Sequence, residues 1–471
     1  MNSWDTFYPF LILLIGIAFV VVTIVILRVH AFLALIVAAV LLGVLSPHPL
    51  VENSESPLAV QAINTAIGDL GDFVGKIGVV IALASIIGKC LMDSGAADVI
   101  TRRLLAFFGV KRAPLALLGS GYVLSIPVFF DTVFYLLVPL AKAFRLRTGR
   151  DYVFYVMAIG AGGAATHSLV APTPGPLMMA DNLQIDLGVT IVVGLLYSFP
   201  PAIIGGWFYA RWVSNRLDIP LRDSTGFSTA ELEQIINRED SELPPLSLSL
   251  LPIALPVLLI ASHTVVSTIG ASRTVLGIFE FLGDKNFALF ASALVAMYLL
   301  VRQKRLTLED LRHALEPALA SGGIIILITA AGGAFGKMIN HVGVGEAIKT
   351  QVPQDVSGTV LILLAFGIAA IMKIAQGSGT VSLITTSAMM FSVIQGQDLP
   401  FHPVYIFLAI GFGSMFISWM NDSGFWVVSQ MSGFTERETL KIWTPLLAII
   451  AIVGLIEILV LSFVLPLSSL P

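Results

Sequence analysis

Four short polar stretches interrupt an otherwise greasy chain, and they hold the residue types that could do chemistry: "SIPVFFDT" at 125–132, "HSLVAPTPGP" at 167–176, "KIAQGSGT" at 373–380 and "NDSGFW" at 421–426. Asp131 and Asp422 lie within apolar runs, where an ionisable group is costly and has a task or a partner. Two roles are open to them: accepting protons, or capping helix N-termini, since each stands where a new half-helix begins. His167 is either an anion-binding or titrating group, or a neutral imidazole hydrogen-bonded across a broken helix. Lys373 either attracts a carboxylate, or snorkels to an interface or pairs with an Asp. Ser168, Thr173, Ser378, Thr380, Asn421 and Ser423, with Gly379 in the same turn as two of them, suit a small polyhydroxylated anion. Each polar group could equally satisfy backbone freed by the break.

Other chemistries fit less well. Ser168 beside His167, or the two aspartates as a pair, would make an intramembrane hydrolase. Adjacent side chains do not necessarily face each other, however, and no GxSxG turn is present. "GAGGAA" at 160–165 and "GFGS" at 411–414 neither follow a strand nor end in GK[ST], so they read as close helix packing rather than nucleotide loops. Phe129 and Phe130 read as packing, with ligand contact open to them at a tip. The single cysteine, Cys90, cannot form an internal disulfide or a zinc cluster and reads as a packing residue. No metal or other cofactor is expected.

The elements that must position these residues are membrane helices. Of 471 residues, 56% are hydrophobic and 12% charged, against roughly 25% charged in a soluble domain; mean hydropathy is +0.92. A net charge of −4 offers no basic surface for nucleic acid. The N-terminus lacks the basic region and cleavage site of a signal peptide, so Pro9 to Leu27 reads as a retained span. Apolar runs predict spans near 9–27, 31–46, 73–93, 152–180, 188–210, 249–269, 286–301, 317–337, 402–428 and 442–465.

Two longer runs, 113–144 and 356–394, are interrupted in the middle. Basic residues flank the first at both ends (Lys111 and Arg112; Arg145, Arg147 and Arg150), so it enters and leaves from the cytoplasm as a re-entrant hairpin. The second, between Asp355 and Asp398, enters from outside. With "RQKR" at 302–305 and the 211–247 linker inside, ten crossings close with both termini outside.

The segment "STGFSTAELEQIINREDSELPP" at 224–245 separates two halves that repeat each other faintly. "GKCLMDSGAADVI" at 88–100 matches "GKMINHVGVGEAI" at 336–348, and each copy leads to an amphipathic segment, a broken hairpin and a broken span. Opposite orientation makes this the inverted-repeat plan of secondary transporters. The expected division is 1–72, N-terminal helices and a periplasmic loop; 73–214, first transport repeat; 215–247, cytoplasmic linker; 248–316, scaffold helices; and 317–471, second, inverted repeat. The fold class is therefore an all-α polytopic membrane protein with two re-entrant hairpins and two discontinuous spans. Irregular backbone at membrane depth is tolerated only where it is buried in protein or lines a cavity, so the four breaks point to one central site. Their helix ends offer N–H groups to an anion and carbonyls to a cation.

The stretches "SIPVFFDTVFYLLVPLA", "HSLVAPTPGP", "AQGSGTVSLIT" and "NDSGFWVV", in this order, resemble the signatures of the gluconate permease (GntP) family within the wider ion-transporter superfamily. The resemblance implies a homodimeric, proton-coupled importer of a sugar acid in the bacterial inner membrane, in contact with lipid, with a transport domain moving against a scaffold. Sodium coupling, or a D-serine or other hydroxy-acid substrate, is the alternative within the same fold. The sequence departs from the family pattern where Ala171 and Thr173 replace a proline and a histidine, where Gly379 stands in place of a frequent alanine, and where Lys373 stands in place of a frequent arginine. An arginine clamps a carboxylate with two bonds and a lysine acts as a point charge, so the ligand's identity stays open.

Overall fold

The structure is a computed structural model that describes residues 3–51, 54–222, 243–269, 272–344, 347, 357–395, 397–468 and 470. Most of the 224–245 linker, Asp355 and the end of the second repeat copy lie outside the described residues.

The described chain is helical. Helices α1 (Ser3–Val21), α2 (Ala31–Val44), α3 (Leu58–Asp93) and α4 (Ala96–Phe108) lead to α5 (Ala113–Leu124) and α6 (Phe130–Thr148), the arms of the first interrupted run. Then come α7 (Tyr152–Leu169), α8 (Pro174–Leu183) and α9, a continuous helix over Leu187–Ser214. Beyond the linker lie α10 (Leu246–Thr268), α11 (Arg273–Gly283), α12 (Lys285–Lys304) and α13 (Leu308–His341). The chain closes with α14 (Gly358–Gln376), α15 (Gly379–Ile394), α16 (Val404–Gly413), α17 (Ser423–Ser432) and α18 (Glu436–Val464).

Among the described residues, eight helical stretches are long and apolar enough to cross a membrane. The 14-residue α2 and the divided α16 and α17 fall below that length, whereas α14, expected as half a hairpin, reaches it. Both broken runs and both broken spans are divided where the sequence places the polar stretches: at 125–129, 170–173, 377–378 and 414–422. Proline explains the first two, because Pro127 and Pro172 lack the N–H that a continuing helix needs.

Two helices extend beyond their apolar runs. Helix α3 begins at Leu58 rather than near 73, and α13 at Leu308 rather than near 317. Their polar turns broke the hydropathy signal, yet the charges there are paired: Asp69 and Asp72 of α3 each lie 3.1 Å from Lys337 of α13, His341 is 3.1 Å from Asp69, and in the first turns of α13 Arg312 lies 3.6 Å from Glu316. Lys76 of α3 also reaches Asp181 of α8 at 2.7 Å. Helix α13 starts on a Thr307–Asp310 capping box and α18 on a Thr435–Glu438 box, so each enters its apolar run with its first N–H groups satisfied. Helix α11 has no apolar run long enough to announce it, and none of its residues is buried.

The core is organised on α7, which is buried over almost its whole length. It packs closely on α5 because "GAGGAA" keeps side chains out of the contact: a Cβ at Gly162 would overlap the Leu118 carbonyl, and one at Gly121 would lie 2.7 Å from the Ile159 carbonyl. Those glycines let the two backbones meet. Gly162→Val is therefore expected to lower the apparent melting temperature of the purified protein, with a cost of about 1–3 kcal/mol from overpacking. Gly68→Ala, where a Cβ meets nothing within 4 Å, should melt with the unmodified protein.

Candidate functional site

The four breaks meet at one cavity of about 230 Å³. Its wall holds the first residues of four helices: Phe130 and Asp131 of α6, Pro174 of α8, Gly379 and Thr380 of α15 behind their N-cap Ser378, and Ser423 and Gly424 of α17 behind their N-cap Asp422. Each N-terminus carries roughly half a positive charge from its aligned peptide dipoles, so the cavity is biased towards anions before any side chain is counted.

Lys373 and Asp422 form the polar floor. The ammonium donates to Asp422 Oδ2 at 2.7 Å and to the Gly377 carbonyl at 2.6 Å, and both side chains are almost fully buried. Asp422 Oδ1 accepts from Gly424 N at 3.1 Å, so this aspartate caps α17 and neutralises a lysine at once. Ser418 also donates to Asp422 Oδ2, and Trp443 Nε1 donates to Ser418 Oγ at 2.8 Å, which carries the network into α18. Gly377 closes α14 at φ +84°; a Cβ there would overlap the Asn421 backbone, so glycine is required for the two breaks to touch.

Asp131 differs from Asp422. It stands in the first turn of α6 behind the N-cap Phe129, which makes no side-chain cap bond, and it has no hydrogen-bond or ion-pair partner among the described residues. The capping alternative thus describes Asp422 and not Asp131. His167 lines the cavity from the last turn of α7, edge-on to Phe129 at 6.2 Å, and its Nδ1 is buried without a partner.

Of the residues singled out in the sequence, His167, Ser168, Lys373, Ser378, Gly379, Thr380, Ser423, Asp131 and Asp422 line this cavity. Thr173 and Asn421 are not among its lining residues. Thr173 Oγ1 donates to the carbonyls of Val170 at 2.6 Å and His167 at 3.0 Å. Asn421 Nδ2 donates to the carbonyl of Ile374 at 2.8 Å. Both therefore satisfy carbonyls that a broken helix leaves free. Both Phe129 and Phe130 do reach the cavity.

Residues with no sequence signal complete the wall. Thr329, with Ile325 and Ile328, comes from α13; Trp443, from α18, stacks on Phe130 at 5.4 Å. They lie in helices that run past the site without a break, so no irregularity marks them. Among the described residues, no group of three His, Cys, Asp or Glu side chains could hold a metal ion.

Comparison with known proteins agrees with this architecture. The family model described as GntP family permease matches residues 8–464. The chain is 34% identical over 448 residues to the gluconate permease of Pseudomonas aeruginosa, covering 93% of this chain and 94% of that one. It is 29% identical over 463 residues to the Gnt-II system L-idonate transporter of Escherichia coli, covering 97% and 100%. Among solved structures, the YdaH transporter of Alcanivorax borkumensis superposes with a TM-score of 0.62 at 14% identity, over 94% of this chain and 98% of that one, a likeness of fold. The family match and the apolar helices together define a multi-pass permease of the bacterial inner membrane, not an enzyme. The chain belongs to the GntP permease family.

Because removing one member of a buried ion pair strands the other, Lys373→Met should destabilise the protein by about 3–5 kcal/mol. Adding Asp422→Asn should recover part of that loss. Thermal unfolding of the single and double variants measures this, and a double variant no better than Lys373→Met would show that the pair does not act as a unit.

Proposed function

We propose that the chain imports a small hydroxylated carboxylate of the sugar-acid class, such as gluconate, together with protons. The names of its relatives support the substrate class. The observation that carries the coupling is the inequality of the two acids: Asp422 forms an ion pair with Lys373, whereas Asp131 faces the same cavity with no ion pair among the described residues. A substrate carboxylate drawn in by four helix ends would meet an ionised Asp131 as a like charge. At ~4 Å and an effective dielectric of ~20, that repulsion is about 4 kcal/mol. A proton on Asp131 removes it, so proton and anion favour each other's binding, which is the linkage a symporter needs. Hydroxyls of Ser168, Ser378, Thr380 and Ser423 face the same space and suit the hydroxyl-bearing carbons of the ligand.

The movement that goes with this reading rests on the order of elements. A long helix, a divided hairpin, a divided span and a closing helix follow one another as α3, α5–α6, α7–α8 and α9, and again as α13, α14–α15, α16–α17 and α18. We read these as inverted repeats, 73–214 and 317–471, whose hairpins are re-entrant from opposite sides. In a homodimer they would move as a unit against the 1–72 and 248–316 scaffold helices, with 215–247 as the cytoplasmic linker.

In proteoliposomes, D-gluconate accumulation should follow an inward proton gradient and collapse with a protonophore. Asp131→Asn should markedly lower gradient-driven accumulation while still exchanging gluconate across the membrane. Accumulation that needs sodium instead, or that persists undiminished in Asp131→Asn, would overturn the assignment.

A further inference from the structure

A second acid lies in the last span, away from the cavity. Glu457 interrupts "IIAIVGLIEILVLSF" in α18. It stands about ten residues, or about 15 Å of helix axis, beyond Leu447, which lines the cavity. Ile456 and Val460 beside it are 57% and 55% exposed, to lipid in a membrane span, while Ile458 is fully buried. Glu457 thus sits at the seam between lipid and protein. Its Oε2 is buried without a hydrogen-bond partner, and no described residue forms an ion pair with it.

Among the described residues, the helices packed on α18 bring no charge into an ion pair with Glu457, and Arg211 stands near the far end of α9. Helix α9 brings Tyr197 and α16 brings Tyr405, stacked on each other at 6.3 Å, and the Tyr405 hydroxyl is committed to the Leu461 and Leu465 carbonyls. Helices α7 and α14 present His167 and Lys373 to the cavity instead, and α17 has no ionisable residue. From α5, Tyr122 reaches α9 over residues 195–198. Its hydroxyl donates to the Leu195 carbonyl at 2.5 Å and meets Ser198 Oγ at 2.7 Å. In that stretch of α9, Pro200 and Pro201 cannot donate to the carbonyls of Leu196 and Tyr197. Tyr122 also stands just before the break that leads to Asp131.

An unpaired carboxylate at membrane depth is costly, and a carboxyl group that carries its proton is not. We propose that Glu457 is a second proton-carrying residue of the transporter, separate from the substrate cavity. Its role in coupling rests on the proton-driven reading given above. The proton taken from solution sits on the Glu457 carboxylate and leaves to solution.

Infrared spectroscopy of the reconstituted full chain tests the protonation. A protonated-carboxyl stretch present near neutral pH, shifted in heavy water, should be lost in Glu457→Gln and kept in Asp131→Asn. Reversal potentials of D-gluconate flux should give one proton fewer per substrate in Glu457→Gln. An unchanged band or an unchanged ratio overturns the proposal. If Glu457→Gln does not fold, Glu457→Asp must move the band, and a band that stays in place is equally fatal. If the unmodified protein is not proton-driven, the coupling reading falls, and the infrared band alone decides whether Glu457 holds a proton.

Discussion

The contact between Lys373 and Asp422 is the interaction on which the site depends. It joins the end of α14 to the start of α17, two segments that the chain separates by α15 and α16. Burying such a pair is not in itself a source of stability, since desolvation of both ions offsets their attraction. Its effect is positional. The ammonium also holds the Gly377 carbonyl, and Asp422 also holds the first turn of α17 and the Ser418 hydroxyl. Through Trp443 the same network reaches α18 and, by stacking, the start of α6 at Phe130.

A second constraint follows from the solvent. Inside a bilayer, a helix that stops must have its free backbone groups met by protein, because no bulk water is available. That requirement divides the polar residues of the breaks into two groups. Thr173, Asn421 and, in part, Ser378 and Asp422 bond to backbone at the breaks. Among the described residues, Asp131 and the Nδ1 atom of His167 are left without partners, and both residues line the cavity. The first group satisfies backbone that the breaks set free.

The outer ionic contacts are of a different kind. Lys337, His341, Asp69 and Asp72 join α13 to α3, and Lys76 with Asp181 joins α3 to α8. Several of these side chains are partly exposed, so each pair contributes modestly. Together they let α3 and α13 carry charge along stretches that hydropathy alone would place outside a span. They also explain why the apolar run understated α3.

The sequence by itself determined the class of the protein and the position of its breaks. Uninterrupted apolar runs have few ways to satisfy their backbone in lipid, and proline, glycine and buried acids mark where helices stop. It also singled out the acids, the lysine and most hydroxyls of the cavity, because polar side chains stand out in greasy runs. Only the tertiary structure decided which of two equivalent-looking acids is paired, because Asp131 and Asp422 each open a helix and differ only in what α14 brings near them. In the same way it decided that Thr173 and Asn421 serve the backbone, and that Thr329 and Trp443 complete the wall from unbroken helices. Those outcomes depend on which helix faces which, and local spacing does not encode that.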